Sequence, residues 1–234
     1  MIGSHAGAAL AVAAALVCAQ ASAAELVVVE ARGLTLKPGQ TVDDTQRLTL
    51  EQGDELTLVD ETGSVIKLRG PYAGPPSARG GSGIEISDAL AALGTGEAQN
   101  ASGVVRAKVE NETVTLPDPW VIDVTHSGRV CVRPGRSAMF WRQQSASQED
   151  LKVMPVDRTW RAESLWPAGA SELPAPAMFP MPDLQTYLFT IGGETAIVTL
   201  VQVPASLGTD RMRAAWMLQK NCLTQTRALV ATMK

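Results

Sequence analysis

Residues 48–71, LTLEQGDELTLVDETGSVIKLRGP, carry the pattern that decides the fold of the N-terminal region. Apolar residues occupy every second position in three short runs, and glycines and acidic residues separate the runs. Alternation with a period of two predicts strands with one apolar face. Gly53 and Gly63 permit the positive φ that tight turns require. The stretch therefore predicts a β-meander.

Acidic residues crowd the turns of this meander, and Asp54, Asp60 and Glu61 are the ones that raise the question of a site. Carboxylates at turn positions bond to nearby amides and face water. No neighbouring residue supplies a second catalytic partner. We therefore interpret these residues as solvated turn residues and not as a functional site.

The same region resembles the FecR-type β-domain of bacterial envelope proteins. The resemblance covers about residues 26–71 and rests on VVEARG, LKPGQ, the turn at Gly53-Asp54 and the hairpin that ends at Gly63. It implies a small β-domain in the periplasm. Sensor members of that family also have a membrane span and a cytoplasmic segment, which we do not expect in this sequence. The resemblance therefore does not extend to direct transmembrane signalling.

Residues 1–24 are expected to be a signal peptide, because AGAALAVAAALVCAQASAA is an apolar run that ends in small residues. Ala21 and Ala23 place cleavage before Ala24, whereas Ser22 and Ala24 allow cleavage before Glu25. Both sites remain open. Either one predicts export to the periplasm.

A lipid-anchored alternative would use Cys18. Val17 occupies the position at which a lipoprotein signal requires a small residue, and the alanines that follow have the form of an ordinary cleavage region. The sequence therefore favours a mature protein without lipid.

Signal removal leaves Cys131 and Cys222 as the only cysteines. In an oxidising compartment, two cysteines favour one intramolecular disulfide. Two buried free thiols are the alternative.

The remaining chain divides by composition into a linker and a second domain. Residues 72–103 are rich in Pro, Gly, Ser and Ala, which is typical of a linker. Residues 104–234 hold many short apolar runs, including a hairpin at Gly192-Gly193. Together with residues 25–71, this predicts a mainly β protein with a β-sandwich-like second domain.

The chain is expected to finish in a helical hairpin that packs on the second domain. Thr209 or Asp210 can cap the first helix, and Asn221 suits the left-handed position that ends it. An apolar stripe that includes Cys222 then marks the second helix.

Several kinds of chemistry find no support in the sequence. The formal net charge of −4 disfavours nucleic-acid binding, and neither a P-loop nor a dinucleotide-binding fingerprint is present. After signal removal, His126 is the only histidine, which excludes an ordinary zinc site. His126 with Asp123 and Ser127 would be a candidate triad, but Ser127-Gly128 favours a turn. We predict no cofactor and no metal.

Five tryptophans lie in the C-terminal half, and most are expected in the core. Trp160 and Trp166 belong to WRAESLWPAGASELPAPAMFPMPDLQ, a proline-rich stretch predicted to be a long loop. They are the candidate partner-binding patch.

These observations favour an exported, non-enzymatic module that binds another envelope protein or a glycan. The alternative is a periplasmic hydrolase that uses carboxylates of the second domain. Two buried, facing acids would favour the hydrolase, and an apolar groove would favour binding.

Overall fold

A computed structural model of the chain describes residues 24–78, 114–143 and 146–233. The protein is mainly β and ends in two helices, which confirms the predicted fold class. Residues 1–23 of the predicted signal peptide, most of the predicted linker and the apolar run at residues 104–110 lie outside the described residues.

The N-terminal region forms a four-stranded antiparallel sheet and a separate strand pair. The sheet has the order β2-β1-β4-β5, and β3 pairs with β6. The strands are β1 (Glu25–Arg32), β2 (Thr41–Asp43), β3 (Leu48–Leu50), β4 (Glu55–Val59), β5 (Val65–Arg69) and β6 (Tyr72–Gly74).

The strand order differs from that of a simple meander. The β4–β5 hairpin forms as expected, with Leu56 opposite Leu68. However, β3 pairs with β6 and not with β4, because the long apolar strand β1 occupies the other edge of β4. Strand β6 also lies within the predicted linker, so the β-region continues beyond residue 71.

Strand β1 is buried on both faces over residues 26–29. Leu26 and Val28 pack in one core cluster with leucines of β3 and β4. Val27 and Val29 belong to a second cluster with residues of the C-terminal helices. Because both faces are covered, all four of these successive residues are buried. The register with β4 shifts between Val28 and Glu30, which marks a β-bulge.

The C-terminal region places a five-stranded sheet, in the order β11-β10-β13-β14-β8, against a three-stranded sheet, β12-β9-β7. Strands β8 and β14 are parallel, as are β7 and β9. The strands are β7 (Ile122–Asp123), β8 (Gly128–Val132), β9 (Met139–Trp141), β10 (Glu149–Pro155), β11 (Ala162–Trp166), β12 (Glu172–Pro174), β13 (Thr186–Ile191) and β14 (Glu194–Gln202).

Two local predictions for this region have opposite outcomes. The Gly192-Gly193 hairpin is confirmed, because both glycines have positive φ (59° and 86°) between β13 and β14. The proline-rich stretch is not a continuous loop, because β11 and β12 lie within it. Both are edge strands, a position that tolerates proline.

The chain ends in α1 (Asp210–Gln219) and α2 (Leu223–Thr232). Thr209 caps α1 by accepting a hydrogen bond from the Met212 amide, and Asn221 has the expected positive φ of 63°. The Sγ atoms of Cys131 and Cys222 lie 2.04 Å apart, which is disulfide-bond distance. The bond attaches the start of α2 to β8.

The helices contact the N-terminal sheet as well as the C-terminal region. Valines of β1, β4 and β5 share one buried cluster with Cys131 and Trp216. At the bulge, the Lys220 ammonium donates to the Val29 carbonyl at 2.8 Å. Burial holds the pKa of Lys220 below its usual value. The two β-regions are therefore joined by the helical hairpin.

A buried glutamine of α2 satisfies the backbone at the outer edge of β8. The Gln225 side chain accepts from the Cys131 amide at 2.5 Å and donates to the Cys131 carbonyl at 2.9 Å. It also donates to the Val121 carbonyl at 3.2 Å. The amide side chain thus replaces a neighbouring strand at this point.

Among the helices that the structure describes, none is long and apolar enough to cross a membrane.

Candidate functional site

Of the two tryptophans predicted to form a binding patch, Trp166 is in the core. Its exposed fraction is 0%, its indole N–H donates to the Ala170 carbonyl at 2.9 Å, and the Arg142 guanidinium lies over its ring. Strand alternation in β11 turns this side chain inward. The assignment of Trp166 to the patch is therefore wrong.

Trp160 is half-buried and belongs to an aromatic cluster. Its ring meets Phe179 edge-on at 6.3 Å between centroids and lies 5.8 Å from Tyr187. Phe179 in turn contacts Phe140 at 5.2 Å and Phe189 at 6.4 Å, both buried in the core. Trp160 thus packs on a continuous cluster of aromatic rings that extends into the core.

The loop that carries Phe179 is fixed by side-chain hydrogen bonds. The Tyr187 hydroxyl donates to the Pro180 carbonyl at 2.7 Å. Burial, and to a smaller extent the Asp157 carboxylate, raises the pKa of the Tyr187 phenol, which stays protonated and able to donate. The Gln202 side chain donates to the Met181 carbonyl at 2.7 Å. The loop is therefore held at several points.

We give the name apolar surface to Trp160 and to three exposed apolar residues of the segments next to this support: Val156, Met178 and Leu184. Met178 is the third residue of the turn from Pro176 to Phe179, which is closed by a hydrogen bond from the Phe179 amide to the Pro176 carbonyl. It is 91% exposed. Leu184 and Val156 are 60% and 52% exposed, and the Val156 amide bonds to Thr186, beside Tyr187. Met178 is thus the chain neighbour of Phe179, and the Val156 amide bond lies next to Tyr187, so these residues border the segments that carry the aromatic cluster.

The acids of the second region do not provide the arrangement that the hydrolase alternative requires. Within residues 24–78, 114–143 and 146–233, Asp123 is the only buried acidic residue. Its carboxylate is already occupied by Thr125 and His126. The described part of the chain therefore offers no pair of buried, facing acids.

His126 lies in a turn beside Asp123, as its neighbours in the sequence suggest. Its Nδ1 is 2.8 Å from Asp123 Oδ2 and 3.0 Å from Thr125 Oγ1. The Ser127 hydroxyl instead accepts a hydrogen bond from the Ile197 amide at 2.9 Å. The serine is thus engaged with β14, and its position fits a role in fixing the turn.

Sequence reasoning missed a turn motif that explains this aspartate and three others. In each Asp-x-Thr segment, one carboxylate oxygen accepts from both the amide and the hydroxyl of the threonine two residues later. The same geometry recurs at Asp43-Thr45, Asp60-Thr62, Asp123-Thr125 and Asp157-Thr159. The recurrence of D-x-T was the signal available in the sequence.

The acids of the opening stretch are located in turns. Asp54 accepts from the Glu51 amide at 2.7 Å, and Asp60 accepts from the amides of Thr62 and Ser64, both at 2.9 Å. Glu61 lies in the same turn, and its carbonyl accepts from the Thr209 hydroxyl. The carboxylates of Asp54 and Asp60 therefore bind backbone amides of their own turns.

His126→Ala is expected to leave the biological activity unchanged and to lower the free energy of unfolding by less than about 1 kcal/mol. The imidazole is half-exposed, and Thr125 still holds Asp123. Complementation of a deletion strain, with protein abundance measured in parallel, checks both statements. Complete loss of activity at normal abundance would favour the hydrolase alternative, since a catalytic base contributes roughly 100-fold or more.

Comparison with known proteins does not assign the chain to a family. No family model matches the sequence, and no curated protein matches it.

In the described residues, no group of three His, Cys, Asp or Glu side chains is placed to hold a metal ion.

Proposed function

We propose that this protein is an exported, non-enzymatic binding module of the bacterial envelope and that its partner is another envelope protein. The apolar surface is the observation that carries the proposal. Exposed large apolar side chains grouped on a rigid support mark interaction sites in folded proteins. A methionine at the tip of a fixed turn adds a flexible, polarisable contact.

A protein partner fits this surface better than a glycan does. Sugars present many hydroxyl groups, which require polar partners beside any aromatic ring. The most exposed members of the apolar surface, Met178, Leu184 and Val156, have side chains without a strong hydrogen-bonding group. Such groups gain most from contact with apolar side chains of another protein.

Three observations support export to the periplasm. The N-terminal run has the composition of a signal peptide, and Cys131 and Cys222 lie at bonding distance, an arrangement favoured in oxidising compartments. The FecR resemblance of residues 26–71 adds an envelope context. We propose that this region is a FecR-like β-domain attached to the binding region through the helical hairpin.

A photo-reactive amino acid at position 178 is expected to capture a discrete protein adduct in intact cells. The matched control carries the same group at Lys67, an exposed position on β5. The proposal expects an adduct from position 178 and none of the same mass from position 67. Identical adducts from both positions, or none from position 178, would contradict it.

Met178→Glu is expected to weaken this complex by about tenfold or more, which corresponds to about 1.4 kcal/mol or more. Because Met178 is 91% exposed, the melting midpoint should barely change. Affinity capture with the mature protein as bait, followed by quantification of the adduct partner, measures the effect. Unaltered recovery of the partner would show that binding does not use the apolar surface.

A further inference from the structure

The first described residue of the chain is attached at both its backbone groups to one aspartate. The Ala24 amide nitrogen lies 3.1 Å from Asp44 Oδ1, and the Asp44 amide donates to the Ala24 carbonyl at 3.0 Å. Glu25 opposite Asp43 is the first pair of the β1–β2 ladder. Ala24 and Asp44 thus extend that ladder by one pair.

The two cleavage sites that the sequence leaves open differ in how much of this pair they preserve. Cleavage before Glu25 would remove Ala24 together with both hydrogen bonds, leaving the Asp44 carboxylate and amide without them. Cleavage before Ala24 keeps both bonds. It also changes the donor from a neutral amide to an α-ammonium group, whose pKa of about 8 keeps most of it charged at neutral pH.

We infer that the export signal is cut between Ala23 and Ala24 and that the new α-ammonium group of Ala24 forms an ion pair with Asp44. The inference rests on the proposed export of the protein. The reaction is hydrolysis by a signal peptidase: water is consumed, Ala23 leaves with the new carboxylate, and Ala24 retains the amine, which takes up a proton. Asp44 is thereby assigned as the receiving site of the mature N-terminus.

The ion pair would fix the N-terminal residue of the processed chain at the end of the β1–β2 ladder. A charged N–H to carboxylate bond is stronger than its neutral counterpart. It closes the open end of the β1–β2 ladder, where β2 is only three residues long. An unprocessed or longer chain would place its ammonium group elsewhere and keep only the neutral hydrogen bond.

Intact mass and N-terminal sequencing of the protein isolated from the periplasm test the cleavage site. The expected mature protein begins at Ala24 and carries no lipid. A protein that begins at Glu25, or at Cys18 with an acyl group, would overturn this inference while leaving export intact. A full-length chain found only in the cytoplasm would instead contradict the proposed export.

A stability comparison tests the ion pair. Asp44→Asn should raise the unfolding equilibrium constant about two- to fivefold in the chain that begins at Ala24. In a chain with one glycine added before Ala24, which moves the ammonium group by about 3.8 Å, the same change should have a smaller effect.

The neighbouring acid provides the matched control for this comparison. Asp43→Asn weakens the Asp43-Thr45 turn and should do so equally in both chains. The difference seen for Asp44→Asn should also shrink in 1 M salt. Equal effects of Asp44→Asn in the two chains would rule out the ion pair.

Discussion

Gln225→Leu is expected to lower the free energy of unfolding by about 3–5 kcal/mol. The substitution leaves three buried backbone groups, the Cys131 amide and carbonyl and the Val121 carbonyl, without the side chain that bonds them. Leucine has a similar size and cannot donate or accept. Water cannot easily replace the amide, because Gln225 is 2% exposed and Cys131 is 0% exposed.

Chemical denaturation of the purified protein measures this effect. Gln219→Leu is the matched control, since it makes the same chemical change at a half-exposed position on the neighbouring helix and should alter stability by no more than about 0.5 kcal/mol. If both variants lose similar amounts, the edge of β8 does not depend on Gln225.

Cys222→Ser is expected to lower the free energy of unfolding by about 2–5 kcal/mol. The bond closes a loop with a sequence separation of 91 residues, for which the chain-entropy model gives about 4.6 kcal/mol. Each helix has ten residues, and helices of that length are marginal without tertiary packing. The loss therefore falls first on the helical hairpin.

Limited proteolysis and thiol counting measure this second effect. The C-terminal segment should be cut first, and the N-terminal sheet should then also become sensitive, because Val27 and Val59 pack in the same cluster as the helices. Cys131→Ser should reproduce the result. Protein from the periplasm in which both cysteines are alkylated without reduction would contradict this account.

Local features of the fold could be predicted from the sequence. The β4–β5 hairpin follows from alternation around Gly63, and the β13–β14 hairpin follows from Gly192-Gly193. The helix signals at Thr209 and Asn221 were also sufficient. Each of these features depends on residues that are close in the chain, so a short pattern contains the physical cause.

The features that were missed depend on distant partners. Strand β3 has an ordinary alternating pattern, which does not say whether it pairs with β4 or β6. The parallel pairing of β8 with β14 joins residues about 70 apart. Strand β11 pairs with the edge of β10, although its own sequence, AESLW, does not alternate between apolar and polar residues. Such pairings are decided by the whole core.

The candidate site shows the same limit. The sequence showed two tryptophans in one proline-rich stretch, but it could not show which of them is buried and which is partly exposed. Trp166 ends an edge strand and turns inward, whereas Trp160 lies on the support that Phe179 and Tyr187 provide. The exposure of Met178 could not be predicted, because it results from the turn in which the residue lies and not from the residue type.

The position of the helical hairpin at the end of the chain has a consequence for folding. The valines of β1, β4 and β5 need α1 to cover them, yet α1 follows β4 by about 150 residues. Whether the chain folds as it is made or, under the proposed export, after translocation, the N-terminal strands are available before α1 can reach them. Until α1 docks, the N-terminal sheet has an uncovered apolar face. A chain that stops before Asp210 would keep that face permanently, so premature termination should produce an aggregation-prone species that depends on chaperones.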